Sequence, residues 1–171
     1  PRLRADVVLN NLMCWAFTTG KVKILSDGKA WRPIVHVEDI ARACLAALDA
    51  PLTVVNNCAF NVGVNGENYQ VRDLAEIVKE TVPGCTIEYS GEGGADSRNY
   101  QVDFSKISRL LNFTPKWNAR LGATELYQAF QNVGLTEEEF LGGKFTRLAQ
   151  LKRLLHNNRL DNNLRWTNGT Y

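Results

Sequence analysis

The sequence predicts an α/β fold with an incomplete sheet, and three observations carry that prediction. Short extended runs alternate with amphipathic segments through the first hundred residues. The extended runs are few and none exceeds seven residues, too little for a complete doubly wound sheet. Beyond Asp103 only helical periodicity remains, so the C-terminal part is helix-rich.

Ala5 to Thr19 reads as a helix, with Val8, Leu12, Trp15 and Ala16 on one face and Gly20 placed to close it. Lys21 to Leu25 alternates basic and apolar residues, as a half-buried strand does, and Ser26-Asp27-Gly28 has turn chemistry. Trp31 to Val37 is a second extended run, which Pro33 confines to an edge or an irregular strand. Glu38 and Asp39 favour the dipole of an Ala-rich helix, Ile40 to Ala50, that Pro51 stops. Ala59 to Val62 reads as a strand ending at Gly63. Val71 to Val82 reads as an amphipathic helix closed by Pro83-Gly84, and Thr86 to Tyr89 as a strand. Ser90 to Ala95 is a Gly-rich loop. Asp103 caps a helix ending near Asn112, and further helices follow over 121–133, 136–141 and 145–155, with Thr136-x-x-Glu139 as a capping box. The Asn-rich stretch after His156 reads as irregular.

Composition narrows the function classes. Twenty Lys and Arg against 18 Asp and Glu leave a net charge of +2, which exerts no global pull on nucleic acid or anionic membrane. Mean hydropathy is −0.25, and no apolar run reaches the roughly 20 residues of a membrane span. No basic-then-apolar leader opens the sequence. Cys14, Cys44, Cys58 and Cys85 show no knuckle spacing, and His36 and His156 are the only histidines, so no metal is expected. The expectation is reduced, mostly buried thiols in a cytoplasmic protein.

The most informative stretch runs from Asn10-Asn11-Leu12-Met13, through Lys21 to Gly28, to Trp31-Arg32-Pro33-Ile34-Val35-His36-Val37-Glu38-Asp39 and the Ala-rich helix. Asn61-Val62-Gly63 follows. So do Asp96, Tyr100, Asp103, Ser105 and Lys106 in an Asp-x-x-x-Tyr-x-x-Asp-x-Ser-Lys pattern, and Leu111-Asn112-Phe113-Thr114-Pro115. In this order the five elements resemble the substrate half of the extended short-chain dehydrogenases, the NAD-dependent nucleotide-sugar epimerases and dehydratases. The resemblance covers residues 1–133 and leaves 134–171 as a helical extension with an irregular tail. It implies part of a Rossmann-like sheet beside a small mixed α/β substrate-binding region. In an intact enzyme it implies oxidation of a sugar carbon to a ketone, then re-reduction or elimination.

A diphosphate is best held by a guanidinium fork. Arg32, at a strand edge after a Gly turn, is the first candidate; by its neighbours alone it could equally be a surface ion pair with Glu38 or Asp39. The resemblance implies that Asn11 and Leu12 present side chain and backbone to the nucleotide, although the residues alone make only an amphipathic helix. It implies that Lys23 and Leu25 line the base, although alone they make only an alternating strand. The family's loop arginine falls here on Gly93, so Arg98 is expected to supply that charge, beside Asp96, with Tyr100 walling the sugar; a solvated arginine and a core aromatic are the plainer readings. His36 belongs to the scaffold before the helix and shows no orienting partner in the sequence.

Two family features have no counterpart here. Gly63-Val-Asn-Gly66 mimics an NAD loop but lacks the third glycine. No tyrosine begins a Tyr-x-x-x-Lys pair: four residues after Tyr69, Tyr89, Tyr100 and Tyr127 stand Asp73, Gly93, Phe104 and Gln131. The expectation is therefore the C-terminal, nucleotide-sugar-binding half of such an enzyme, with the NAD-binding half absent and no activity of its own. The alternative is a stand-alone, non-catalytic binding or interaction module. Faces bearing Leu12, Trp15, Leu45 and Leu48 are expected to be partly uncovered and to drive self-association. The basic segment from Lys144 to Arg165 lacks aromatic interleaving and reads as a solvated helix, not a nucleic-acid surface.

Overall fold

Asn10 and Asn11 decide where the first helix begins. Their side-chain amides donate to the carbonyls of Arg4 and Ala5 at 3.0 and 2.9 Å. Those carbonyls are thereby taken from the helical ladder, and the helix α1 starts at Val8 instead of Ala5. The computed structural model describes residues 3–90, 98–142 and 144–167. In it α1 (Val8–Thr19) lies at the centre of the core, with Leu9, Leu12, Met13, Cys14 and Ala16 buried. Gly20, at φ 71°, ends it by returning its N–H to the Ala16 carbonyl.

The strand β1 (Lys21–Ile24) buries Val22 and Ile24 on alternate positions. β2 (Trp31–Pro33), α2 (Val37–Asp49) and α3 (Leu52–Val55) follow, then β3 (Asn68–Gln70), α4 (Val71–Thr81) and β4 (Thr86–Tyr89). β1 pairs with β4 in parallel, Lys21 opposite Thr86 and Ile24 opposite Tyr89. β2 pairs with β3 antiparallel, Arg32 opposite Tyr69. Helices α5 (Ser105–Leu111), α6 (Ala119–Val133), α7 (Glu137–Leu141) and α8 (Arg147–His156) complete the described chain. The architecture is thus α/β and helix-rich, with two two-stranded sheets among the described residues.

Several expectations shift, each for a tertiary reason. Ala59 to Val62 joins no strand: Phe60 and Val62 pack on a small cluster of Ala43, Ile107 and Phe113, and the Ala59 carbonyl accepts from Lys106. β3 and α3 were not legible locally. β3 forms because Asn68 clips Val102 in both directions, at 3.0 and 2.9 Å. The helix α5 is capped one residue later than Asp103, whose carboxylate instead accepts from the N–H and hydroxyl of Ser105. Half of the capping box at α7 forms: Thr136 accepts from Glu139 N–H, while the Glu139 carboxylate turns to Lys144.

Of the residues expected to be partly uncovered, Leu12 is not, and Trp15 is half-buried. Leu12 is buried, and Trp15 meets Phe140 of α7 edge-on at 5.1 Å. On the other side of the helix Phe17 packs against Tyr127 and Phe130 of α6. Leu45 and Leu48 are uncovered, at 60 and 80 % exposure. Cys14 and Cys85 are buried, but Cys44 and Cys58 are exposed, so the thiols are not mostly buried; all four are free. Among the described residues no helix is long and apolar enough to cross a membrane.

The start of α2 is tied to the rest of the molecule by Asp39, whose carboxylate is 1 % exposed. It accepts from the N–H groups of Lys116 and Trp117, at 3.0 and 2.9 Å, and from Arg42 at 2.6 Å. Burial pushes its carboxyl pKa up, but the two N–H donors and the Arg42 guanidinium outweigh burial and hold it below the ordinary carboxylate value. A lowered folded value means that its stabilisation is complete above the unfolded pKa of about 3.9 and is lost as pH falls through the folded one. Asp39→Asn, measured by urea unfolding at neutral pH, is expected to cost about 2–4 kcal/mol. The difference between variant and parent should shrink as pH is lowered through that acid window.

Candidate functional site

β2 and the segment 98–100 bring together three of the residues that the sequence singled out. Arg32 Nη1 donates to the carbonyls of Trp31 at 2.7 Å and Arg98 at 2.5 Å. Its guanidinium lies 5.6 Å from the centre of the Tyr100 ring, within cation–π range. Asn99, which sequence reasoning missed, fastens the segment by accepting from Trp31 N–H at 3.0 Å. The result is a half-exposed arginine on a two-stranded sheet, backed by an aromatic ring and by a second arginine's backbone. Arg32 makes no ion pair with Asp39, whose oxygens serve Arg42, Lys116 and Trp117.

The other candidates are placed differently. The Asn11 amide donates to the Ala5 carbonyl, and Leu12 lies inside α1 with its side chain in the core and its backbone in the helical ladder. Lys23 stands 4.0 Å from the centre of the Trp15 ring, and Leu25 is 58 % exposed just past β1. Asp96 and the Gly-rich residues 91–95 lie outside the described residues.

His36 gains the partner that its sequence neighbourhood did not show. Its Nδ1 accepts from Glu38 N–H at 3.2 Å, capping α2, so Nε2 carries the proton toward Glu125 at 2.7 Å. The ring stacks on Trp117 at 3.9 Å, and Trp117 Nε1 donates to Glu38. With Glu125 lying 89 residues away, no local spacing could announce it. This is a packed, hydrogen-bonded scaffold. Tyr69 is likewise committed: its hydroxyl donates to Glu67 at 3.1 Å, and burial, then the Glu67 carboxylate, push it up to about 12.

The residues present do not fit a dinucleotide loop. A Cβ at Gly63 would come within 2.6 Å of the Phe104 ring, so this glycine serves close packing. Asn65 spends its amide on Ser105 and Phe104. No group of three metal-ligating side chains occurs among the described residues. A cleft of about 180 Å³ lies between Leu3, Arg4 and α8, and none of the candidate residues lines it.

Comparison with known proteins shows what this α/β chain is similar to. Residues 4–63 match the family described as NAD dependent epimerase/dehydratase. UDP-glucuronate 4-epimerase of Thermodesulfobacterium geofontis is 27 % identical over 117 residues, covering 68 % of this chain and 35 % of that protein. UDP-D-apiose/UDP-D-xylose synthase 1 of Arabidopsis thaliana is 31 % identical over 124 residues, covering 63 % and 31 %. Among solved structures, UDP-glucose 4-epimerase of Thermotoga maritima with UDP-glucose superposes at a TM-score of 0.63, with 25 % identity, over 75 % of this chain and 40 % of that one. UDP-glucuronic acid 4-epimerase of Bacillus cereus, in complex with UDP-glucuronic acid and NAD, superposes at 0.64 with 21 % identity, over 78 % and 42 %. The chain spans about a third of the length of the curated relatives it matches.

If His36 is scaffold, His36→Ala removes a helix cap and a stacked ring and leaves the arginine cluster intact. Thermal unfolding should show a loss of about 1–2 kcal/mol. Nucleotide affinity, measured well below the melting temperature, should stay within twofold of the parent.

Proposed function

We propose that this chain is the nucleotide-sugar-binding portion of an NAD-dependent sugar epimerase or dehydratase, with residues 1–133 as the binding part and 134–171 as a helical extension. The observation that carries it is the Arg32–Arg98–Tyr100 cluster on the β2 edge. Arg32 itself falls inside the stretch that matches the epimerase/dehydratase family. Arg32 takes the diphosphate as a charged fork, Arg98 adds the second charge beside Asp96, and Tyr100 walls the sugar. Lys23 and Leu25 flank the base, and Asn11 borders the nucleotide. The relatives named above act on or carry UDP-sugars, which makes a nucleoside diphosphate sugar the ligand class.

The match over residues 4–63 lies at the N-terminal end of this chain and does not by itself fix its place in a longer protein. The proposal of a C-terminal half rests on what the sequence lacks, a Tyr-x-x-x-Lys pair and a three-glycine loop, together with the short span of the relatives covered. On this reading the chain binds and orients its ligand but does not turn it over by itself. NAD would bind elsewhere than on the residues described, and no step of the chemistry runs through them. Four free thiols suit a reducing, cytoplasmic setting.

Calorimetric titration with UDP, CDP, GDP and ADP tests the reading. Saturable binding of one of them is expected, abolished in Arg32→Ala and weakened about tenfold or more in Arg98→Ala. Absence of binding by the folded parent chain, or binding indifferent to Arg32, overturns it.

A further inference from the structure

We propose that Asn99 is a positioning residue for the diphosphate, an inference that rests on the reading of Arg32 given above. It acts through Arg32 and Tyr100 by holding the segment 98–100 against the open edge of β2. In the antiparallel pair with β3, the Ala30 carbonyl accepts from Val71 N–H at 3.1 Å, and Ile34 N–H donates to the Glu67 carbonyl at 2.9 Å. Backbone groups of alternate residues point to opposite sides of a strand, so those of Trp31 face away from β3. Asn99 Oδ1 accepts from the Trp31 N–H at 3.0 Å, and the Trp31 carbonyl accepts from Arg32 Nη1 at 2.7 Å. The Asn99 side-chain carbonyl thus stands where the carbonyl of a neighbouring strand would otherwise serve this edge.

These bonds close a ring. One residue before Asn99, the Arg98 carbonyl accepts from the same Arg32 Nη1 at 2.5 Å, and Nη1 returns to the Trp31 carbonyl. Opening the Asn99 bond therefore loosens the second carbonyl that orients the guanidinium. One residue after Asn99, Tyr100 is 44 % exposed, with its ring centre 5.6 Å from the Arg32 guanidinium. An aromatic ring so open to water is placed by its backbone more than by packing. Asn68, which holds Val102 in both directions, fastens the chain three residues further on. Asn99 is accordingly the fastening next to both Arg98 and Tyr100. An arginine side chain has many rotamers, and one held in place beforehand loses less freedom when it meets a phosphate. The role needs only the acceptor of Asn99. Asn99→Asp keeps an acceptor in the same place, and Asn99→Ala removes it.

Nuclear magnetic resonance and calorimetry on the full chain test the role. In the parent, the Trp31 amide should exchange slowly with solvent. The Arg32 Nε–H signal, identified by its loss in Arg32→Ala, should be displaced by the Tyr100 ring. Asn99→Ala should speed Trp31 exchange about tenfold or more and return the Arg32 signal to the position of solvated arginines, and Asn99→Asp should restore slow exchange at Trp31. Because Asn99 is exposed, the melting midpoint of Asn99→Ala should match the parent's, which separates positioning from folding. For whichever of UDP, CDP, GDP and ADP the parent binds, Asn99→Ala should raise the dissociation constant about five- to tenfold. Unchanged Trp31 exchange and Arg32 signal in Asn99→Ala, or nucleotide affinity equal to the parent's, overturns the positioning role and leaves the proposed function standing. Failure of the folded parent to bind any of the four nucleotides overturns the proposed function and, with it, any role of Asn99 toward a diphosphate.

Discussion

The buried carboxylate of Asp39 is the constraint on which the arrangement of the helices depends. A charge so far removed from water is tolerated only when its oxygens are fully served. Here two consecutive backbone N–H groups, from Lys116 and Trp117, and the Arg42 guanidinium serve them. Because those N–H groups belong to the turn before α6, the first turn of α2 is locked to it across 77 residues of chain. Fixing Trp117 then fixes the ring on which His36 stacks, and Glu125 of α6 closes the contact from the other side. Glu67 makes a second tie of the same kind, accepting from Ala119 N–H at the start of α6. Charged acceptors on backbone donors thus do the long-range joining that a larger sheet would otherwise do.

The candidate site inherits its rigidity from these ties and from β2–β3 pairing. Arg32 is held by two carbonyls, and one of them belongs to the segment that also presents Tyr100. A guanidinium oriented in this way loses less rotamer freedom on meeting a phosphate than a free surface arginine would. Ala59 to Val62 lies outside any strand, and the outer face of α2 is exposed.

Local chemistry was enough to read α1, α2, α4, β1 and β4 from the sequence, and Gly20 as a helix end, because apolar periodicity and turn residues act over a few positions. Arg32 was singled out by its setting between a Gly turn and a helix start and by the resemblance that the surrounding motifs carry. The same local reading erred where a long-range partner mattered. It took Ala59 to Val62 for a strand, although among the described residues no strand pairs with it. It missed β3, which depends on Asn68 clipping Val102, and Glu125, which reaches His36 only in the fold. It did not foresee Phe140 of α7, which meets Trp15 edge-on.

The sequence by itself determined the helices α1, α2 and α4, the strands β1 and β4, and that a Tyr-x-x-x-Lys pattern is absent. Those properties reside in residue types and short spacings. Only the tertiary structure decided that Asp39 is a clamp and not a dipole partner, that Arg98 meets Arg32 through its carbonyl, and that α2 turns an apolar face outward. Each of these depends on which distant backbone groups reach a side chain, and that is settled by packing, where pattern in the chain is silent.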